Sequence, residues 1–385
     1  MQAHNKIDIE NYFLAEEAKK LYKKKFLSKE QLSPISSQLM QLKSNANLFF
    51  QIGFFLLGNF LFSTVVSAIA VILMQIITHD YQIIFFLYAI VAYIGIEVLV
   101  KMKFFRHGLD DAFILTSQVS FFIGIGILTE SVFPVFLSMF VLGIYFAVRF
   151  IHTISALIAY SGLVCLFFNS IVEHNFLSKV YLPFIGLLLA ILVYFLVVNL
   201  AKNQNLYPYF KTFETLKIVS LLLSYLSMNY YVVRELSVSL MEITVTNDSD
   251  IPFAIVFYVF TFLIPLLYLF LGIKWKDKLV LYSGVLTLII GFSSIRYYYH
   301  FFPIEYVMVV SGILLFAMAY LIIQKLKNKV EGVTFQPDRD ADNSIFFNAQ
   351  AVMTLANAST PAPTQSSSME FGGGGFSGGG AGEKF

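Results

Sequence analysis

The residues of this sequence that could do chemistry are mostly charges at the ends of long apolar segments. Arg149 is the only fixed charge between Val132 and Val172. An arginine at the centre of a bilayer is costly and would mark a functional site, whereas an arginine at the membrane surface reaches lipid phosphate at little cost. Because segments 132–148 and 150–171 are each long enough to cross a membrane, we predict a tight turn with Arg149 as a membrane-surface anchor.

Other ionisable residues also lie close to predicted helix ends. Glu97 precedes Lys101 by four residues, and an i,i+4 pair of this kind would neutralise its charge. The functional alternative is that Glu97 is a proton-coupling acid. Asp110 and Asp111 begin an apolar segment, where the helix dipole stabilises carboxylates. His152 is interpreted as a packing or interfacial residue.

A group of charged residues falls on the predicted outer face of the protein. Arg234 and Glu235 end one apolar segment, and Arg296, His300 and Glu305 lie among tyrosines between the last two segments. Tyrosines at this level are typical of the aromatic belt at a membrane interface. The alternative is an outer-face ligand site that uses these five residues.

The sequence has no HExxH, CxxC or Walker A motif. No two of its six histidines are three or four residues apart, so no helical metal pair is expected. The single cysteine, Cys165, lies in an apolar segment and is interpreted as a buried small residue. We therefore predict no catalytic residue, no metal site and no cofactor, and we do not expect an enzyme.

The composition indicates a helical membrane protein. The chain is 58% hydrophobic and 13% charged, against about 25% charged residues in soluble domains. A helix that crosses a bilayer needs about 20 mostly apolar residues. We predict an all-α bundle of about ten transmembrane helices, at 48–77, 82–100, 112–129, 132–148, 150–171, 181–200, 216–233, 251–273, 279–296 and 305–324.

The distribution of lysine and arginine orients these helices. Cytoplasmic loops of membrane proteins carry an excess of both residues. With the N-terminus inside, the outer connections hold only Lys179, Arg234 and Arg296, and the remaining loop charges fall inside. The segment 216–233 is the weakest candidate, but the lysine-rich stretch 274–278 stays inside only if it crosses. We therefore predict a bacterial inner-membrane protein with both termini in the cytoplasm.

Residues 1–47 are predicted to form a basic helix pair before the bundle, which occupies 48–324. Ser28 and Gln31 have the spacing of a capping box at the start of the second helix. Lys23, Lys24 and Lys25 belong to a polybasic cluster that could anchor the first helix on anionic lipid headgroups. The alternative is a solvated, charged helix face.

The tail, 325–385, changes character along its length. Apolar residues within 345–356 have the spacing of a short amphipathic helix. The segment 369–385 is rich in glycine and includes Phe371 and Phe376. Glycine at this density does not pack a core, so we expect disorder there and a protein partner that binds the phenylalanines. No nucleic-acid partner is predicted.

The layout resembles an uncharacterised family of multi-pass bacterial membrane proteins. The stretch LYKKKFLSKEQLSPISSQL, 21–39, is similar to the short helix pair that opens those chains. The stretch YYYHFFPIEYVMVVSGILLFAMAYLI, 297–322, is similar to their closing turn and last helix, and FGGGGFSGGGAGEKF resembles the glycine-phenylalanine ends of bacterial membrane-anchored proteins. The resemblance implies a membrane bundle and carries over no activity.

These patterns favour a non-enzymatic membrane scaffold or assembly factor. A secondary transporter of a small solute is the alternative, since ten helices divide into two groups of five. Against it, the two halves have no visible internal similarity, and no short broken helix is evident. The predicted mid-membrane polar residues are few: Gln118, Ser120, Ser161, Ser224 and Thr287.

Overall fold

A computed structural model describes residues 2–24, 26–39, 42–45, 47–74, 81–174, 177–241, 250–298 and 304–328. This part of the chain is helical and contains no β-strand beyond one isolated bridge between Lys43 and Phe104. The α-helices are α1 (Lys6–Lys23), α2 (Lys29–Leu39), α3 (Leu48–Met74), α4 (Gln82–Lys101), α5 (Leu109–Thr129), α6 (Val132–Phe150), α7 (Thr153–His174), α8 (Leu182–Leu200), α9 (Phe210–Leu226), α10 (Tyr230–Met241), α11 (Ala254–Trp275), α12 (Lys278–Tyr298) and α13 (Ile304–Leu326). The predicted all-α class is confirmed.

Seven helices of the described chain, α3 to α8 and α11, are long and apolar enough to cross a membrane. Their outer surfaces carry exposed large apolar side chains, as lipid contact requires. The bent pair α9 and α10 would make eight. The described part of the chain thus holds seven to eight apolar helices that could span a membrane.

The predicted helix 216–233 is wrong as a single element. The chain bends by 71° between α9 and α10. The bend is stabilised locally, because the Asn229 side chain accepts a hydrogen bond from the Val232 N–H at 3.2 Å and thereby caps α10. The Tyr230 N–H, which a continuous helix would have paired internally, donates to Thr261 Oγ1 at 2.9 Å.

The helices from α3 onwards pack as two groups. Helices α3 to α7 contact one another closely, and so do α8 to α12. Glycines allow the tightest crossings, such as Gly143 of α6 against Ala159 of α7 and Gly272 of α11 against Leu281 of α12. Helix α9 belongs to the second group and also packs against α7 of the first. It therefore lies at the junction between the two groups.

Helices α1 and α2 form an antiparallel pair, which we call the N-terminal hairpin (residues 2–39). Its own core consists of Ala15, Ala18, Leu21, Leu27, Ile35 and Leu39. The predicted capping box is confirmed, since Ser28 Oγ accepts from the Gln31 N–H at 3.2 Å and the Gln31 side chain accepts from the Ser28 N–H at 3.0 Å. Lys23 and Lys24 are exposed at the end of α1, and Lys25 lies outside the described residues.

The hairpin packs against one end of the bundle, which we call the hairpin face. Ile9, Tyr12 and Phe13 are buried there with Phe105 and Ile151 of two interhelical loops. An Asp8–Lys103 ion pair at 3.4 Å adds to the contact. The Ala3 N–H also donates to the Arg149 carbonyl oxygen at 2.8 Å. The hairpin is therefore part of the folded bundle rather than a separate surface helix.

The hairpin contacts both helix groups. The ring of Phe13 packs edge-on against Tyr207, which lies in the 3₁₀ helix Gln204–Tyr209 that leads into α9. The Gln2 side chain donates to the Tyr209 hydroxyl at 3.1 Å, and that hydroxyl donates to the Val148 carbonyl oxygen at 2.6 Å. The hairpin thus bridges the two groups at the hairpin face.

Candidate functional site

Arg149 lies in the last turn of α6, and its guanidinium is held by Glu97. Its Nη2 and Nε atoms lie 2.6 Å and 2.9 Å from Glu97 Oε1. The predicted pairing of Glu97 with Lys101 is therefore wrong, because the cation comes from a helix 52 residues later. The predicted tight turn is confirmed, since Ile151 adopts a left-handed conformation (φ 55°) and α7 begins at Thr153. The lipid-anchor role of Arg149 and the coupling role of Glu97 stay predictions.

A chain of buried polar side chains starts one turn away. His152 is 7% exposed. Its Nε2 atom lies 3.3 Å from Asp111 Oδ1, and its Nδ1 atom lies 2.7 Å from Ser155 Oγ. The Gln118 amide donates to the same Ser155 hydroxyl at 2.6 Å. The chain runs from the hairpin face into the bundle, and seven residues of helix separate Asp111 from Gln118, which is about 10 Å.

The hydrogen bonds of this chain share one direction. The Ser155 backbone N–H donates to His152 Nδ1 at 3.2 Å, so Nδ1 is an acceptor. The ring hydrogen is then on Nε2, where it points to Asp111. Donation therefore passes from Gln118 to Ser155, His152 and finally the Asp111 carboxylate. The other amide atom of Gln118, Oε1, is buried and has no hydrogen-bond partner in the described structure.

Polar side chains continue along α9. Thr212, Ser220, Ser224 and Asn229 are all buried. Thr212 pairs with Thr153 of α7 at 2.9 Å, and the Ser224 hydroxyl bonds to Tyr268 of α11. We call these buried groups the polar seam: Gln118, Ser155, Tyr160, Thr212, Ser220, Ser224 and Asn229. It follows α9 from the hairpin face to the bend, along the junction of the two helix groups.

Hydrogen bonds between helices explain only part of the polar seam. Such bonds hold membrane helices together at about 1 kcal/mol each. The Tyr160 hydroxyl and the Ser220 hydroxyl interact with each other, whereas Gln118 Oε1 is buried and has no hydrogen-bond partner among the described residues. A buried polar atom without a partner costs about 1–3 kcal/mol. Gln118 on α5 therefore fits contact with water or a polar solute better than pure packing.

A cavity of ≈ 180 Å³ opens at the hairpin-face end of the seam. Asp111 and His152 line it together with Arg106, Lys211 and Gln51. The lining thus combines two carboxylates, Asp110 and Asp111, and two cations around a space that fits a small molecule. No group of three or more histidine, cysteine or acidic residues in the described chain is placed to hold a metal ion.

Asp110 has a structural role beside the cavity. Its Oδ2 accepts from the Arg106 N–H at 2.7 Å, and its Oδ1 accepts from the N–H groups of His107 and Gly108 at 2.9 and 3.1 Å. The carboxylate thereby holds the loop between α4 and α5. Asp110 and Asp111 both lie in the first turn of α5, so their predicted place at a helix start is confirmed.

The predicted outer-face site is only partly described. Arg234 and Glu235 lie on α10. His300 and the side chains of Arg296 and Glu305 lie outside the described residues, so the site stays a prediction. Near the same end of the bundle, Tyr230 stacks on Tyr258 with ring centroids 3.9 Å apart, and its hydroxyl donates to Asp250 at 2.8 Å.

Protonation of His4 is expected to release the hairpin. Burial against Phe105 lowers the pKa of His4 from 6.5 to about 4, although Asp8 and Glu97 raise it. The docked hairpin therefore binds fewer protons than the released hairpin. Its docking free energy is complete above pH 6.5, falls between pH 6.5 and 4 by at most roughly 3 kcal/mol, and is constant below.

Spin labels at the exposed positions Glu10 and Lys202, in a Cys165→Ala background, would measure this docking by their distance distribution. We expect the distribution to broaden between pH 7.5 and 4.5. The His4→Gln variant cannot charge, so its distribution should stay constant over this range. An equal broadening in that variant would show that another group titrates.

Comparisons of the chain with known protein families, curated proteins and solved structures find no match. The functional argument therefore rests on the polar seam and the cavity themselves.

Proposed function

We propose that this chain is a secondary transporter of a small solute, in which the polar seam is the solute path and the two helix groups move against each other. The observations that carry the proposal are the buried, unpartnered Oε1 of Gln118 in the polar seam and the contact between Tyr160 and Ser220, which joins the two helix groups. In transporters, polar sites between two repeated halves serve as the solute site, and rocking of the halves alternates access to it.

The cavity is the solute entry in this proposal. Asp111 and His152 sit between the cavity and Gln118, so a proton or solute that enters meets them first. Glu97 already has Arg149 as its cation. Asp111 is therefore the acid that the geometry favours for coupling, in place of Glu97. Solute entry and proton coupling are both non-enzymatic roles, since neither requires a covalent change of the solute.

The full topology belongs to the proposal. Eight candidate spans, with the bent pair α9 and α10 counted as one, together with α12 and α13 give ten crossings, which divide five and five along the chain. The hairpin face carries the lysine-rich loops, so we place it and both termini in the cytoplasm of a bacterium with an inner membrane. Arg149, Lys23, Lys24 and Lys25 would then contact anionic lipid headgroups.

A scaffold or assembly factor is the second candidate. The glycine- and phenylalanine-rich segment 369–385 favours it, because such a segment suits binding of a protein partner. A scaffold requires no aqueous path through the bundle. The two functions therefore differ in whether the seam is ever open to water.

Cysteine accessibility separates the two. In a Cys165→Ala background, Ser220→Cys should react with a small charged thiol reagent, because the transport path must open to water. Ser161→Cys is the matched control: it lies at a similar depth on α7, but its side chain is exposed on the outside of the helix bundle, where lipid excludes the reagent. We expect Ser220→Cys to react about tenfold faster or more, with reagent added on either side of the membrane.

Equal inertness of both cysteines would reject transport through the seam and leave the scaffold as the better proposal. If the path is open, Gln118→Leu should slow the Ser220→Cys reaction several-fold, because the apolar side chain removes a polar wall of the path. A scaffold predicts no effect of Gln118→Leu on reagent access. It predicts instead that deletion of 369–385 abolishes co-purification of a partner.

A further inference from the structure

Arg106 is a charged residue in the cavity lining whose guanidinium has an unused hydrogen-bond donor. Its guanidinium carbon lies 5.3 Å from the ring centroid of Phe13 and 5.2 Å from that of Phe105. Its Nη2 atom is buried and has no hydrogen-bond partner in the described structure. A guanidinium carries five N–H donors and is always charged. The rings stabilise the charge but accept none of these donors in a proper hydrogen bond, so an oxygen acceptor is missing.

The backbone fixes Arg106 in this position. It adopts a left-handed conformation with φ 52°. Its N–H donates to Asp110 at 2.7 Å, and its carbonyl oxygen accepts from the Gln51 side chain at 3.1 Å. A side chain held by its backbone and by rings loses little entropy when a ligand binds. The guanidinium is therefore preorganised to bind an acceptor.

The carboxylates at the cavity are already engaged. Asp110 accepts from three backbone N–H groups, and Asp111 accepts from His152. Lys211 is a second cation in the lining. Neither Arg106 nor Lys211 makes an ion pair with the described residues, whereas both acids have donors. The two cations in the lining therefore lack a negatively charged partner, which an anion in the cavity would supply.

We infer that the cavity binds a small anion through its carboxylate or phosphate group, held by Arg106 and Lys211, and that the N-terminal hairpin positions Arg106 for it. Arginine pairs with such groups through two parallel hydrogen bonds. A volume of ≈ 180 Å³ fits a phosphate or a small organic acid. The inference rests on the proposed function where it names the solute class, but binding itself requires no transport.

Anion binding at this site depends on docking of the hairpin against the bundle. Phe13 of α1 supplies one of the two rings at Arg106. Anion binding and hairpin docking should therefore favour each other by the same free energy. Phe13→Leu keeps an apolar contact but removes the ring, so it should weaken anion binding several-fold. Phe26→Ala, at an exposed phenylalanine of the same hairpin, is the matched control and should leave binding unchanged.

Isothermal titration of the purified full chain tests the site, with inorganic phosphate and acetate as probes and acetamide as the neutral isostere of acetate. We expect saturable binding of both anions and about tenfold weaker binding of acetamide or none. Arg106→Gln should raise the Kd about tenfold or more, and Arg106→Lys should raise it less. Lys101→Gln, at the exposed last residue of α4 and outside the lining, should leave it unchanged.

Measurement in neutral maltoside micelles and in lipid nanodiscs identifies the source of the anion. Equal affinity in both supports a free anion, whereas binding in micelles alone supports a lipid phosphate that occupies the site in nanodiscs. Absence of anion binding in both, or an unchanged Kd in Arg106→Gln, would overturn the inference. Each result is independent of Ser220→Cys reactivity, so a failed anion site and a failed transport path are distinguishable.

Discussion

Substituting alanine for Asp110 is expected to lower the free energy of unfolding by roughly 4 kcal/mol. Asp110 is 6% exposed and accepts hydrogen bonds from three consecutive backbone N–H groups. Alanine leaves all three donors without their acceptor. The Gly108 hydrogen bond is buried and the other two are partly buried, and a buried donor left unpaired costs about 1–3 kcal/mol. The loop that these donors belong to also carries Phe105 and Arg106, so the hairpin should detach along with it.

Variants that remove fewer hydrogen-bond acceptors than Asp110→Ala test whether the lost acceptors cause the destabilisation. Asp110→Asn keeps one carbonyl oxygen, which serves the Oδ1 position with its two N–H donors, so its loss should be clearly smaller than that of alanine. Asp111→Ala removes a neighbouring carboxylate that pairs with His152 and should also cost less. Unfolding of the detergent-solubilised chain by heat or denaturant gives the ranking. Equal losses for Asn and Ala at Asp110 would show that charge, rather than the number of acceptors, matters there.

Gly143→Ala is expected to destabilise the bundle by on the order of 3 kcal/mol, although alanine is the better helix former. A Cβ atom at Gly143 would lie 2.7 Å from the Ala159 nitrogen and 2.8 Å from its Cα. The obstructing atoms belong to backbone, so α6 and α7 must separate. Close approach is the main source of attraction between helices in lipid, and it is lost over the whole crossing.

Gly53→Ala is the matched control, because a Cβ there meets nothing within 4 Å. It should be neutral or slightly stabilising, since alanine gains about 1 kcal/mol of helix propensity over glycine. The two variants make the same chemical change in apolar helices and should differ in sign. Thermal unfolding in one detergent measures both. A neutral Gly143→Ala would mean that α6 and α7 are less tightly packed than described.

Helix positions were predictable from sequence because apolar length alone decides them. The ends of α6 and α7 fall within a few residues of the prediction, and Arg149 marks the turn between them. The bend between α9 and α10 was not predictable in the same way. The bend depends on Thr261 of a later helix, whose hydroxyl accepts a hydrogen bond from the Tyr230 N–H. A hydropathy pattern cannot predict a partner that lies so far along the chain.

The site was harder to predict because its residues meet only in three dimensions. Gln118 stood out as a polar residue in an apolar segment, which was the available signal. The role of His152 was not predictable, because Asp111 reaches it from another helix and Gln118 reaches its partner Ser155. Arg149 and Glu97 are separated by 52 residues. Local spacing favoured Lys101 instead, and tertiary contact overrode that weak i,i+4 preference.

The contact between Gln2 and Tyr209 spans 207 positions of the chain. During synthesis the first residues leave the ribosome long before Tyr207 and Tyr209 exist, and chains emerge at about 5–20 residues per second. The hairpin can fold early, since its core is its own, but it must wait roughly ten seconds or more for its second docking surface. Its attachment therefore reports that the membrane segments up to the start of α9 have been made and assembled. A chain stalled before that point would leave Phe13 without the Tyr207 ring that covers it in the complete fold.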